Sequence, residues 1–397
     1  MSYYRINYKE SIILLLLGIF CPILAIPFIL ISIYKKNYHV TFIFAFVFSI
    51  LIGIMPPYAD SYHYYLVYNR YTDFTFYWLT QSKDFLFYLL SFFFKSLNVQ
   101  YVYFRLVLVI LEMFIFSWIF YDYVKSHNTY LDKKQVSFLF IIILFLSIDF
   151  MFIAFMIRYA LAGTFLILSV YLFYKSEKIL SLFFLFVAIT IHYGILLFVP
   201  CFVLSIVFRN RIPILFKIIL CIIFLFLGLT IFNFFYNLLP QLFQSDTYTI
   251  GRWSNFEHKS FNGMMYHIIQ YYVISGITIV FYLFQKGENT FLERMLFFTL
   301  ILFLCISSFS EISQRVWWIL KIFLSFSLIS SIVKNKNNLM FSKLYFVVLL
   351  LCISQTMAIY GFRESIFDLD NLKHFLSPVS FFLGDTYDDY YFFSRKF

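Results

Sequence analysis

The chain is 397 residues long, 62% hydrophobic and only 13% charged, with a formal net charge of +10 and a mean hydropathy of +0.85. A soluble domain averages about 45–50% apolar and about 25% charged residues, so this inventory excludes soluble enzymes, disordered chains and collagen. The 59 Phe and 33 Tyr beside 11 Gly and 8 Pro favour bulky helices over short strands and turns. The expectation is an all-α polytopic integral membrane helix bundle.

A spanning helix needs about 20 mainly apolar residues. In chain order, spans are expected at about 11–34, 39–55, 101–123, 136–147, 159–174, 179–191, 194–208, 214–236, 264–285, 295–308, 316–333 and 344–360. The first is longer than a signal-peptide core, and Ala25-Ile26-Pro27 is not a small-x-small cleavage site, which points to an uncleaved helix. Residues 85–97 are apolar but short and carry Lys95, so a helix lying at the outer interface is expected there. No repeat or Ser/Gly/Pro-rich linker divides the chain, so residues 1–397 are expected to form a single membrane domain with outer loops at about 56–100 and 237–263. The five cysteines (Cys21, Cys201, Cys221, Cys305, Cys352) lie in apolar runs without paired spacing, arguing against a disulfide framework or a zinc site.

Short basic connectors carry Lys35 and Lys36; Lys125, Lys133 and Lys134; Lys175 and Lys178; Arg209, Arg211 and Lys217; and Lys334, Lys336 and Lys343. They alternate with longer segments of mixed charge. With about twelve spans and both termini outside, every basic connector falls on the cytoplasmic face, as the positive-inside rule requires. The net positive charge is then a topological bias helped by anionic lipid, and no nucleic-acid partner is needed.

Ionisable residues inside a bilayer are costly and mark functional candidates. On this topology Arg105, Arg158, His192, Glu311 and Arg315 gather near the outer ends of spans, with Arg252 and Asp60 in the outer loops. Each has a bland reading: Arg105 can snorkel to headgroups, His192 can satisfy a carbonyl at a helix break, and Glu311 with Arg315 can form an i,i+4 pair. Together the arginines suit a polyanion, because each offers a fixed bidentate fork for phosphate. The first outer loop reads Asp60-Ser61-Tyr62-His63-Tyr64-Tyr65. Most of its tyrosines suit an interfacial aromatic belt, while a carboxylate among aromatic faces also suits a sugar-binding surface. No Walker loop, HExxH, GxSxG or Cys/His cluster of metal spacing is present in the sequence, so neither a cofactor nor a metal is expected.

The stretch Arg158-Tyr159-Ala160-Leu161-Ala162, the basic turn at 175–178 and the bend Ile191-His192-Tyr193-Gly194 resemble the central block of bacterial polysaccharide polymerases of the EpsG/Wzy type. Asp60 followed by tyrosines to Tyr71, and Arg315-Val316-Trp317-Trp318, are similar to the family's early outer acid and late outer arginine. The resemblance implies a helix bundle related to lipid-linked-sugar glycosyltransferases of the GT-C type. It also implies an enzyme that transfers a growing glycan from undecaprenyl diphosphate to a lipid-linked repeat unit on the outer face of the bacterial plasma membrane, alongside a chain-length regulator. On that reading Arg158 and Arg315, with Arg105 and Arg252, hold the diphosphate. His192 or Asp60 takes the acceptor proton, and Tyr62, Tyr65 and Glu311 bind sugar. An O-antigen ligase, or a flippase or exporter of lipid-linked glycan, remains the alternative from the residues themselves. A transporter would place its charges along a central path, whereas the deep charges here are chiefly Glu112 and Lys321.

The charge alternation makes a testable statement. In a background lacking the native cysteines, a membrane-impermeant thiol reagent applied to intact cells should label single cysteines placed in 56–84 and 237–263. It should spare those at the Lys133 and Lys336 positions; labelling at either would overturn the topology.

Overall fold

A computed structural model describes residues 8–55, 57, 60–70, 84–127, 150–209, 212–224, 226–227, 230, 290–306 and 310–334. Every element among them is helical. The expected segments 136–147, 264–285 and 344–360, and the outer loop 237–263, lie outside the described residues. Two described helices, Tyr101–Ser126 and Ile157–Tyr174, are long and apolar enough to cross a membrane.

The chain divides into two compact units, one comprising residues 1–169, 178–195 and 358–397, the other 170–177 and 196–357. The first unit opens with α1 (Tyr8–Phe20) and α2 (Pro22–Tyr34), where one continuous span at 11–34 was expected. The break has a local cause. Proline has no N–H for a continuing helix, and the residue before it is pushed out of the helical region; Cys21 accordingly has φ −148° and ψ 79°. A turn in which Lys36 takes a left-handed φ of 69° leads to α3 (Val40–Gly53). There the Lys36 and Asn37 N–H groups donate to Ile33 and Ser32 carbonyls, closing α2 in the Schellman manner.

Next come α4 (Asp60–Arg70), α5 (Phe85–Ser96) and α6 (Tyr101–His127). The helix expected at 85–97 is thus present as α5. α3 packs extensively along α6, antiparallel, with Ser49 Oγ donating to the Val109 carbonyl at 3.4 Å and Ser117 Oγ to the Thr41 carbonyl at 3.2 Å. Hydroxyls that bond across a helix pair satisfy themselves where water is absent. α4 is fastened by Tyr68, whose hydroxyl donates to the Val99 carbonyl at 2.8 Å; burial pushes this phenol up to about 12, so it stays a donor.

The short α7 (Phe150–Phe155) stops at Met156, and α8 (Ile157–Tyr174) starts beyond it, which places Arg158 in the first turn of α8. A left-handed Ser176 turns the chain into α9 (Lys178–Ile191). Ser169 Oγ donates to the Ser181 carbonyl at 2.7 Å and Ser181 Oγ to the Ser169 carbonyl at 2.8 Å, joining α8 to α9. A 3₁₀ turn (Tyr193–Phe198) follows.

In the second unit, α10 (Val199–Val207) packs on α12 (Phe291–Cys305), and α12 on α13 (Ser310–Lys334); α11 (Ile214–Phe224) lies between α10 and α12 in sequence. Thr290 caps α12 by accepting from the Glu293 N–H at 3.3 Å. Arg294 Nε donates to the Ser205 carbonyl at 2.8 Å, and Phe173 meets Phe291 with rings tilted by 38° and centroids 4.4 Å apart.

Gly53 ends α3 against α6. A Cβ there would lie 2.6 Å from Leu106 Cδ1 and 3.3 Å from the Leu106 Cα, and a backbone atom cannot step aside. Gly53→Ala is therefore expected to separate α3 from α6 and cost roughly 1–3 kcal/mol, read as a lower thermal unfolding midpoint in detergent. An unchanged midpoint would show that this helix end is loosely packed.

Candidate functional site

The site lies in the first unit and is organised by Asp84, the residue before α5. Its side chain is 9% exposed, and its carboxylate has two strong partners. Oδ2 pairs with Arg158 Nη1 at 2.7 Å, and Oδ1 accepts the Tyr193 backbone N–H at 2.8 Å. The start of α8 and the bend after α9 are thereby tied to the start of α5.

Arg158 is fixed from several sides. Nη1 also donates to the Tyr88 hydroxyl at 3.1 Å. The guanidinium lies over the Tyr64 ring at 5.1 Å and the Tyr88 ring at 5.8 Å, within cation–π range. Asp60, half-buried at the start of α4, acts on it electrostatically. Nε is buried and has no hydrogen-bond partner among the described residues. The Nε–Nη2 edge lies opposite the atom that Asp84 and Tyr88 use and has the geometry of a bidentate fork for an oxyanion.

His192 is buried where α9 gives way to the 3₁₀ turn. Its own N–H still bonds the Ala188 carbonyl at 3.1 Å, while the Gly194 N–H points back at its Nδ1 at 3.1 Å. Nδ1 lies 3.6 Å from Asp84 Oδ1, beyond hydrogen-bond reach. Tyr159 stands edge-on to the imidazole at 5.3 Å. Gly194 permits this approach, since a Cβ there would lie 3.1 Å from the ring carbon Cε1.

The remaining expected site residues are distributed as follows. Tyr62 and Tyr65 on α4 are stacked with centroids 6.3 Å apart, and Tyr65 meets Tyr101 edge-on. Arg105 is fully buried on α6 and directs Nη2 to the Gly53 and Met55 carbonyls, with Nη1 3.5 Å from Ser61 Oγ; it closes the end of α3 rather than joining Arg158. Arg315 is half-buried on α13 in the second unit. Glu311 lies in the first turn of α13, with its side chain outside the described residues, as is Arg252. Asp84 was legible in the sequence only as one acid of a mixed-charge segment; its signal is the position just before an apolar amphipathic helix. No group of three His, Cys, Asp or Glu side chains converges among the described residues.

The arrangement supplies one guanidinium balanced by a carboxylate, a second carboxylate, a buried imidazole and a tyrosine-rich wall. It suits holding a phosphate beside a hydroxylated ligand. Compared with known families, the chain matches the model of the EpsG family over residues 39–367, most of its length, and it belongs to that family. No curated protein and no solved structure matches it.

The Arg158–Asp84 pair makes a prediction about stability. Asp84→Ala leaves a buried cation uncompensated and is expected to cost about 3–5 kcal/mol. Adding Arg158→Met should recover part of that loss, because no orphaned charge is left. Thermal unfolding of the single and double variants in detergent measures the coupling, and strictly additive losses would show that the pair is not coupled.

Proposed function

We propose, from its membership of the EpsG family, that this helical membrane protein is a polysaccharide repeat-unit polymerase, a glycosyltransferase of the bacterial plasma membrane. It has about twelve spans and a bundle related to the GT-C type. It transfers a growing glycan from its undecaprenyl-diphosphate carrier to a lipid-linked repeat unit on the outer face. Family membership supports the polymerase role. The observation that carries the site assignment is the buried Nε of Arg158, which has no hydrogen-bond partner among the described residues, beside an Nη1 already used by Asp84.

Several residues divide the work. Arg158 grips the carrier diphosphate through its Nε–Nη2 edge, where its charge meets the negative charge that develops on the leaving group. Arg105, engaged with the Gly53 and Met55 carbonyls, supports the wall that carries Tyr101 and Ser61. Tyr62 and Tyr65 offer aromatic faces to a sugar ring. The acceptor hydroxyl loses its proton to Asp60 or His192.

Arg158→Lys tests the grip. Lysine keeps a charge for Asp84 but lacks the second edge, so the variant should insert normally yet lose about tenfold or more of polymer. Polymer is read by gel profile in a strain whose own copy is deleted. Wild-type polymer length and yield would reject the assignment.

A further inference from the structure

The second unit gathers four helix ends at one level. Phe173, in the last turn of α8, has its ring 5.3 Å from that of Phe202 on α10 and 4.4 Å from that of Phe291 at the start of α12. The end of α10 lies against the start of α12 through the Arg294 bond to the Ser205 carbonyl at 2.8 Å and the Phe208–Phe298 contact at 5.7 Å. The start of α11 joins them, with Lys217 Nζ 5.6 Å from the centre of the Phe297 ring. Among the described residues of these ends, Lys175, Arg209, Lys217 and Arg294 stand against Glu177 and Glu293. Arg209 is close enough to repel Arg294, which Glu293 beside it attracts. Gathering like charges costs Coulomb energy, which a counter-anion offsets.

The same ends border lipid. Val203, Val207 and Phe208 on and just after α10, and Leu215 and Phe216 on α11, leave about half of their surface or more exposed. An apolar patch of this size marks a membrane contact, and it stops at Arg209 and Lys217, whose charges belong at headgroup level. α11 and α12 also begin here, adding the positive ends of two helix dipoles. We propose that the ends of α10, α11 and α12 form a binding site for an anionic phospholipid, its headgroup phosphodiester held among Arg209, Lys217 and Arg294 and its acyl chains laid on the exposed apolar faces of α10 and α11. A phospholipid uses both the charges and the apolar surface beside them, whereas a soluble anion uses the charges alone. What the phosphate meets is the summed charge of these side chains, which persists whatever hydrogen bonds each makes within the protein. The arginines add a planar fork that matches phosphate oxygens. Glycan transfer takes no part in this site, so it stands whether or not the polymerase reading holds.

The test uses the full chain purified in an uncharged detergent, with retained lipid counted by native mass spectrometry. Phosphatidylglycerol should bind about tenfold more tightly than phosphatidylcholine, and high salt should narrow the gap. Arg209→Gln combined with Lys217→Gln should weaken phosphatidylglycerol binding about tenfold or more. Arg209→Lys combined with Lys217→Arg keeps the charge and should bind as wild type does. Lys9→Gln combined with Lys125→Gln removes the same charge from exposed positions of the first unit and should leave binding within about twofold. Equal binding of the two lipids by the wild-type chain would overturn the proposal without recourse to any variant. An equal loss in the Lys9 and Lys125 pair would overturn it too, since a diffuse field and not a site would then hold the lipid. Glycerol phosphate binding as tightly as phosphatidylglycerol would make the ligand a soluble anion, and tighter retention of undecaprenyl phosphate would make it the glycan carrier; either outcome sinks the phospholipid assignment.

Discussion

The Asp84 carboxylate is the constraint on which the rest of the candidate site depends. Removing a charge from water costs several kcal/mol per ion unless a partner and further hydrogen bonds replace its hydration. Asp84 has both, in the Arg158 guanidinium and the Tyr193 N–H. Because these partners come from the start of α8 and the end of α9, one buried acid sets the positions of three helix ends. The tyrosines around Arg158 extend the effect: Tyr64 and Tyr88 hold the guanidinium by their faces and Tyr88 also by its hydroxyl, so its orientation is decided before any ligand arrives.

Helix interruptions are where this chain places the residues of the candidate site. Arg158 follows the break at Met156, His192 occupies the change from α-helix to 3₁₀ turn, and Asp60 begins α4. A continuous helix satisfies its own backbone and leaves nothing to bind with; a break frees N–H groups that must find acceptors. At the 192–194 bend those acceptors are Asp84 Oδ1 and His192 Nδ1, so side chains take up the N–H groups that the break leaves over. Elsewhere in the apolar interior the same demand is met by hydroxyls, as in the reciprocal Ser169–Ser181 bonds, and by Arg105 on the carbonyls that end α3.

Much of this was legible from composition and spacing. Apolar runs too long for strands and too rich in Phe for turns made the helices predictable, and the ends of α6, α8 and α9 fall close to their expected places. The Pro22 break was overlooked because a hydropathy window averages across one proline, although the missing N–H alone explains it. Arg158, His192 and Asp60 stood out as ionisable groups in or beside apolar segments, where each demands a reason.

What the sequence determined by itself is therefore the class, the helices and the set of costly polar residues, since these follow from local chemistry along the chain. Which of those residues meet was decided only by the tertiary structure. Asp84 is 74 residues from Arg158 by number and 109 from Tyr193, and no periodicity links positions so far apart. Arg105 and Arg158 are alike in sequence, each an arginine near the start of an apolar helix. Burial against the carbonyls of α3 gives one a structural partner, and pairing with Asp84 through Nη1 leaves the Nε of the other without a hydrogen bond among the described residues, because hydrogen-bond capacity is settled by what packs beside a group rather than by what precedes it in the chain.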